Sequence, residues 1–572
     1  MKRILFFMAL VLTMLLMITF VSCQRDEAVV TTQQTNTTTT TATTTLVPET
    51  EGFDLSKFSI VRYMKSSKAE ITATKNLKEY LESYMGVSIK ISTDEVRKGE
   101  TLDNSLPEIL VGATNRDASV SALEKLNSDE TSDYIIEIKD NKVVLIGKTD
   151  EGVFYAIKEF VRRFVKPVEG KTSLDIKEDV SVMGKIINDK VTVFANGGGV
   201  ETLFTSTIHA STTSVKWPTY ERIVQLQHSG ENNGILFATG QWSEKNFPVY
   251  KSTDDGKTWE LISRVSEQID KTLTANWQPH IYELPNQVGE MPAGTLLLSG
   301  CAIRRDAQNL VTDTYMCIWR SYDLGETWEE FTVVDNGGGT DVDDGMYEPY
   351  LICDKDGSLV CFYSDETEVW ETNGQRLVFK VSKDGVNWGE KQYCVALKDK
   401  TLRPGMVTVA QMGEYGYILS YEMIGEDGGP VYVKTSDSLT KWDAEDKGKK
   451  ITTAEGDFTG CTPYCAWTPA GGKYGTVIAA GRFAKRSTNE GSKLFVSYDL
   501  GETWYGFENP LPYDYKKSSN ANYAYSFGFF AGSDGCIYYV NNCFPDLKSH
   551  VYTYSDMKMA KIKIYGLEDE IK

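Results

Sequence analysis

The stretch Ser252-Thr253-Asp254-Asp255-Gly256-Lys257-Thr258-Trp259 decides the architecture, because the chain repeats it. It returns as Ser321-Tyr322-Asp323-Leu324-Gly325-Glu326-Thr327-Trp328 and as Ser497-Tyr498-Asp499-Leu500-Gly501-Glu502-Thr503-Trp504. A version shorter by one residue is Ser382-Lys383-Asp384-Gly385-Val386-Asn387-Trp388, and a degraded one is Thr435-Ser436-Asp437-Ser438-Leu439-Thr440-Lys441-Trp442. Tryptophan to tryptophan, the spacings are 69, 60, 54 and 62 residues. Each residue type has a reason. Asp accepts from nearby backbone amides, Gly takes positive φ, and together they close a tight turn between strands. The tryptophan can then pack that hairpin onto its sheet. A unit recurring at this period is the signature of a repeat architecture.

These units are identified as Asp-boxes, the hairpin turns of sialidase-type propellers. Five boxes over about 370 residues imply six blades of roughly sixty residues each. The expected fold is mainly β: a six-bladed β-propeller with Asp-boxes over 190–560, preceded by a small α/β domain over 53–183. The sixth blade is expected to use Ala524–Ser533, Cys536–Asn541 and Val551–Ser555, with a strand near Val191–Phe194 closing the ring. Asp-boxes are structural, so their aspartates are not catalytic candidates.

Upstream, strand-like and helix-like segments alternate. Strands are predicted at Phe58–Arg62, Val87–Ile91 and Glu108–Gly112, with a hairpin of Tyr134–Ile138 and Lys142–Gly147. Helices are predicted over Lys68–Tyr84 and about 150–165. The layout, and the segment Glu108–Asn115 within it, resembles the non-catalytic α/β domain of some hexosaminidases and glucuronidases. No catalytic constellation stands in it. Further upstream, Lys2 and Arg3 precede an apolar run from Ile4 to Phe20, a secretory signal. Phe20-Val21-Ser22-Cys23 resembles a bacterial lipobox, although Phe20 departs from the usual Leu. Residues 1–22 are thus expected to be a lipoprotein signal, Cys23 the lipidated residue, and Thr-rich 23–52 a flexible tether. The protein is expected at the extracytoplasmic face of the cell membrane, touching the bilayer through its lipid only. An ordinary cleaved signal or a short membrane anchor is the alternative.

The net charge of −20, with no basic run, argues against nucleic acid as a partner. The propeller resemblance implies a carbohydrate substrate, and a monomer is expected. Apart from Cys23, nine cysteines lie in the C-terminal part, an odd number, at spacings that match no zinc site. Four histidines in 572 residues argue against histidine-rich metal catalysis. No cofactor and no catalytic metal are expected, and a structural calcium is not readable.

Candidate chemistry must come from strand ends facing the propeller axis. Tyr347-Glu348-Pro349, Tyr363-Ser364-Asp365-Glu366, Arg403-Pro404-Gly405-Met406 and Tyr421-Glu422 begin or end such strands. As a set they resemble glycoside hydrolase family 93, the exo-arabinanases, with weaker similarity over most of 195–560. The resemblance implies an exo-acting, retaining glycosidase with two carboxylates about 5 Å apart. Glu348 matches the nucleophile and Glu422 the acid/base, an assignment open to exchange, with Asp365 and Glu366 as supporting or replacing carboxylates. The substrate-binding candidates are Arg222, Arg403, Arg482, Tyr350, Tyr421, Trp277 and Tyr525. The plain alternative is that Glu348 and Glu422 only hydrogen-bond the blades together. A second enzyme class is an exo-sialidase, with Arg222, Arg403 and Arg482 as a carboxylate clamp and Tyr525 as nucleophile. No aspartate stands between Arg222 and Asp254, where a sialidase carries its acid/base. A third class is a non-catalytic glycan-binding lipoprotein, with Trp242, Trp277, Trp370 and Tyr350 stacking on sugar rings.

Overall fold

The Asp-box turns form as their residue types require. In the first box, Asp254 accepts the Thr258 amide (2.9 Å) and hydroxyl (2.7 Å) and the Ser252 hydroxyl (2.9 Å). These bonds hold the Asp254 carboxyl down at about 2. Asp255 and Gly256 take positive φ, 64° and 81°, and Trp259 Nε1 donates to the Gly256 carbonyl (3.0 Å). The boxes at Asp323 and Asp499 repeat the same bonds. In the shortened box Trp388 Nε1 finds no partner, so one residue fewer breaks the indole bond. Trp259 and Trp328 also donate to Ser206 and Ser263, which lie on the outer strand of the preceding blade, so each box clips two blades together.

This computed structural model describes residues 53–566, apart from short internal stretches of which 514–523 and 544–554 are the longest. The expectations for 1–52, and for Trp370, lie outside the described residues. Six blades surround one axis. Blades 1 to 4 are consecutive four-stranded antiparallel sheets beginning at Thr219–Gln225, Thr274–Glu283, Met346–Cys353 and Arg403–Gln411. Blade 5 is built from Tyr464–Thr468, Thr476–Ala480, Lys493–Ser497 and Tyr505–Glu508. Blade 6 runs Gly528–Ala531, Ile537–Cys543, Asp556–Tyr565, and is closed by Gly199–His209 from the other end of the chain. The strand expected near Val191–Phe194 is found at Val191–Val193, one position further out, and the third strand is Asp556–Tyr565. The expected Val551–Ser555 lies, but for Ser555, outside the described residues. The long pairing of Gly199–His209 with Asp556–Tyr565 fixes the seam, which a three-residue strand could not do.

The segment before the propeller folds as a six-stranded mixed sheet. Its strands are Lys90–Thr93, Ser59–Arg62, Glu108–Val111, Lys142–Gly147, Tyr134–Lys139 and Val180–Gly184, in that spatial order. Helices Lys68–Met85 and Asp150–Phe164 form where expected, and a further helix, Asp117–Ser128, was not anticipated. Its apolar core runs on into the propeller: Val191 and Tyr565 pack in the same cluster as Phe154, Tyr155 and Val161.

Blades 1 and 6 meet along Tyr220 and Glu221, whose amides donate to the Tyr525 and Ser526 carbonyls (2.9 Å each). The Glu221 side chain is fully buried and neither of its oxygens has a hydrogen-bond partner. Burial therefore lifts its carboxyl from the ordinary 4.5 to about 8.

Two predictions follow from this packing. Between pH 4.5 and about 8 the folded chain holds a proton on Glu221 that the unfolded chain has released, so Glu221 makes stability fall with rising pH. The slope is at most about 1.4 kcal/mol per pH unit. Glu221→Gln should flatten this alkaline fall in urea titrations at several pH values; an unchanged slope would mean that Glu221 is ionised and compensated. Separately, a Cβ on Gly325 (φ 81°) would stand 3.2 Å from both Phe237 and Ile262. Gly325→Ala should cost about 1–2 kcal/mol, read as a lower urea midpoint at constant m.

Candidate active site

At the mouth of the axis, every blade presents a non-glycine residue at positive φ on or just before its innermost strand. These are Tyr220 (51°), Gln278 (58°), Glu348 (65°), Met406 (58°), Thr462 (43°) and Ala524 (54°), and blade 5 presents a second, Cys461 (57°), beside Thr462. In blades 1 to 4 the strand register slips at that position. A bulge with a left-handed residue bends the strand and re-aims its side chains. Such backbone costs on the order of 1 kcal/mol or more per residue and persists only where its surroundings enforce it.

The enforcement is visible. The Gln278 amide donates to Gln241 Oε1 (2.9 Å), the Glu348 amide to Gln278 Oε1 (3.0 Å), the Met406 amide to Glu348 Oε2 (3.1 Å), and the Thr462 amide to Glu422 Oε2 (2.7 Å). These four are thus tied by a side chain of the preceding blade, whereas the Tyr220 amide is held by the Tyr525 carbonyl and the Ala524 amide by Asn542 of its own blade. Glu348 and Glu422 are two of these ties.

The same two carboxylates flank the Gly405–Met406 peptide. Glu348 Oε2 binds the Met406 amide, and a Cβ built on Gly405 would lie 3.0 Å from Glu422 Oε1. Only glycine leaves room there. Glu348 is partly exposed and also accepts from Ser364 Oγ (2.8 Å) and Tyr220 Oη (3.1 Å). Burial raises its carboxyl from the ordinary value while these donors pull the other way. Glu422 is more deeply buried. Burial first, and then the charge of Glu348, lift it to about 7, against the Thr462 amide and the guanidiniums of Arg403 and Arg482. Two neighbouring carboxyls with separated proton affinities are what an acid and a nucleophile require.

Arg403 stands at the rim, partly exposed, paired with Glu366 (2.8 Å). Arg482 lies over the Tyr525 ring (5.0 Å), and Tyr525, more than a third exposed, meets Tyr220 edge-on (5.6 Å). Cys461 is the one half-buried thiol among the described cysteines; burial and the Glu422 charge push it up to about 12.

Two residues beyond the bulges, the side chains close the axis from below. Tyr350 stacks on His280 (4.2 Å) and meets Tyr464 edge-on (5.9 Å), and the Arg222 guanidinium lies 5.0 Å from the Tyr464 ring centre. A cavity of about 10 Å³, room for one water, separates this floor from Glu348.

Several sequence-derived candidates take other roles. Asp365 is fully buried and committed to Lys391 (2.8 Å) and the Thr367 hydroxyl (2.8 Å). Ser364 points at Glu348, and strand alternation sends Asp365 to the opposite face. Tyr421 is buried beside Tyr432 and donates to the Lys447 carbonyl, facing away from its neighbour Glu422. Tyr350 donates to the Val409 carbonyl (2.8 Å) and belongs to the floor. Arg222 Nη1 donates to the carbonyls of Glu221 (2.8 Å) and Phe527 (2.9 Å), while its Nε has no partner and its side chain lines the small cavity beside Glu348. Trp242 is core, packed on His209 (4.2 Å), and Trp277 lies half-buried with Arg305 5.7 Å from its ring centre. Tyr220, Gln278, Ser364 and Thr462 were not singled out from sequence. One signal was available: proline follows the bulge at Gln278-Pro279, Glu348-Pro349 and Thr462-Pro463.

No protein-family model and no curated protein matches the chain. Solved structures do. A family 93 α-L-arabinofuranosidase of Fusarium graminearum, solved with arabinobiose, is 27 % identical at a TM-score of 0.53, over 63 % of this chain and 97 % of that one. A Penicillium chrysogenum α-L-arabinanase, also with arabinobiose, is 27 % identical at a TM-score of 0.54, over 65 % and 99 %. With the propeller, the boxes and the carboxylate pair in hand, the chain is a glycoside hydrolase of the six-bladed propeller type, similar to the family 93 arabinofuranosidases and arabinanases.

Proposed function

We propose that the protein is an exo-acting, retaining glycoside hydrolase that removes arabinose units from the ends of an arabinan-type polysaccharide. The carrying observation is the pair Glu348 and Glu422 across one peptide, with Glu422 lifted to about 7 while Glu348 is held by three donors. Glu348 attacks the anomeric carbon as a carboxylate. Glu422 gives its proton to the leaving oxygen, then takes one from the water that releases the sugar. Arg403 and Arg482 offset the charge of the two carboxylates at the rim. The floor of His280, Tyr350, Tyr464 and Arg222 leaves the mouth as the way to the carboxylates; exo action is what the family 93 resemblance implies. Arabinose as the sugar rests on the arabinobiose bound by the two similar enzymes. An exo-sialidase needs three guanidiniums around one carboxylate and an aspartate soon after the first; Arg403 is paired with Glu366, and no aspartate stands between Arg222 and Asp254.

Glu422→Gln should lower kcat on arabinan by about 10²–10⁴-fold. It should cost far less on an aryl arabinofuranoside, whose acidic leaving group needs no proton. Glu348→Gln should abolish turnover of both. Glutamine retains a carbonyl oxygen to tie the next bulge, so both variants should fold. Equal losses on the two substrates, or retained activity in Glu348→Gln, would overturn the assignment. The kcat profile of the wild type should be bell-shaped. Its alkaline limb should lie near pH 7, where Glu422 loses the proton it must donate, and its acid limb where Glu348 takes one up.

Attachment to the outer face of the membrane is part of the same proposal. It rests on Ser22-Cys23 and on the threonine tract that follows. Cys23→Ala should move the protein out of the membrane fraction; an unchanged distribution would remove the anchor.

A further inference from the structure

Away from the axis, Glu267, Cys317 and Glu330 bring two carboxylate oxygens and a thiol sulfur within 4.8 Å of one another, all three side chains buried. Glu267 comes from the connection between blades 1 and 2, while Cys317 and Glu330 come from the third and fourth strands of blade 2. One oxygen of Glu330 is already used, accepting the amides of Gln268 (2.6 Å) and Ile269 (2.8 Å), which fixes the connection against the blade. Glu267 is different. It is 7 % exposed, and neither of its oxygens has a hydrogen-bond partner. Other buried carboxylates are served, Glu283 by the Gln227 and His228 amides and the Ser229 hydroxyl and Asp365 by Lys391. Among the described residues Glu221 shares the lack of a partner, but it belongs to no such cluster of ligand atoms. An ionised carboxyl driven into the interior without a donor, beside a thiol and a second carboxyl, costs several kcal/mol unless it keeps a proton, as Glu221 does, or something positive sits among the three.

We infer that Glu267, Cys317 and Glu330 form a structural site for a divalent transition metal of the zinc type, which staples the blade 1–2 connection to the outer half of blade 2. A thiolate with two carboxylates is a donor set for zinc rather than for calcium or magnesium, which take oxygen alone. A fourth position is left for water. Binding releases the thiol proton, and any carboxyl proton, to solvent. The site is separate from Glu348 and Glu422 and takes no part in the hydrolysis.

The test uses the full chain, stripped with a chelator and titrated with Co²⁺. One equivalent should produce a sulfur-to-cobalt charge-transfer band and raise the melting temperature, and Zn²⁺ should displace the band and keep the higher melting temperature. Cys317→Ser should lose the band. Glu267→Gln, close to isosteric, should weaken binding about tenfold or more and lose the melting shift. Should Cys317→Ser fail to fold, Glu267→Gln decides alone. Absence of both band and shift in the wild type overturns the proposal and leaves a proton shared between the two carboxyls. A band that survives in Cys317→Ser but vanishes in Cys461→Ser overturns it as well, because the cobalt then sits on the half-buried thiol.

Discussion

A backbone amide left pointing at the axis is the constraint on which the rest of this structure depends. Bending an inner strand through a residue at positive φ frees that residue's N–H from the ladder, and a buried N–H must find an acceptor. At Gln278, Glu348, Met406 and Thr462 the acceptor is a side chain of the preceding blade: Gln241, Gln278, Glu348 and Glu422 in turn. The ring is therefore held by the residues that line its mouth. Glu348 and Glu422 do hydrogen-bond the blades together, as the plain reading of them required, and that bonding is what fixes them on either side of the Gly405–Met406 peptide. Structural tie and chemical group are one side chain.

The same bonds divide the proton affinities. Glu348 gains three donors because its two oxygens reach Tyr220, Ser364 and Met406 from three blades. Glu422 receives the Thr462 amide, in a more enclosed place. Burial acts on both, yet donors favour the anion, so Glu348 ionises first and its charge then holds the proton on Glu422. The asymmetry comes from the deeper burial of Glu422 together with the smaller number of donors that reach it, not from any difference between the two residues as residues.

This explains what was legible in the sequence. The Asp-boxes were, because their turn chemistry is local: Asp, Gly and Trp at fixed offsets meet within one hairpin. Glu348, Glu422 and Arg403 stood out because they sit at strand ends. Asp365 and Tyr421 were grouped with them from the same positions, and strand parity separates them: Ser364 and Glu422 face the site, so their neighbours cannot. Tyr350, two residues past Glu348, keeps its face but drops one layer to the floor. Parity could not be read in advance because the bulge that sets it is a conformation, marked in sequence only by a proline after three of the six. Glu267, Cys317 and Glu330 were hidden for a different reason. Metal spacings are recognised when ligands share a loop, and these come from a connection and two strands, 63 residues apart at the extremes.

Ring closure has its own logic. A propeller is open until its first and last strands pair, and here Gly199–His209 pairs with Asp556–Tyr565 over nine residue partners with two register slips. The N-terminal sheet is joined to that seam. Val191, on the strand outside the closing one, and Tyr565, at the end of its partner, are packed into the core of the α/β layer. Tyr565 also donates to Glu201 (2.6 Å) on the closing strand, and Lys158 of the helix Asp150–Phe164 lies 5.4 Å from its ring centre. The N-terminal layer therefore buries the end of Asp556–Tyr565 and the strand that flanks its partner. Apolar packing there adds to the ladder that closes the ring. Blade 6 also carries Ala524, Tyr525 and Ser526 into the mouth of the axis, and the Tyr525 and Ser526 carbonyls hold the amides of Tyr220 and Glu221 on blade 1. The N-terminal layer is thus connected to the site through the seam it covers, by packing rather than by any residue of its own.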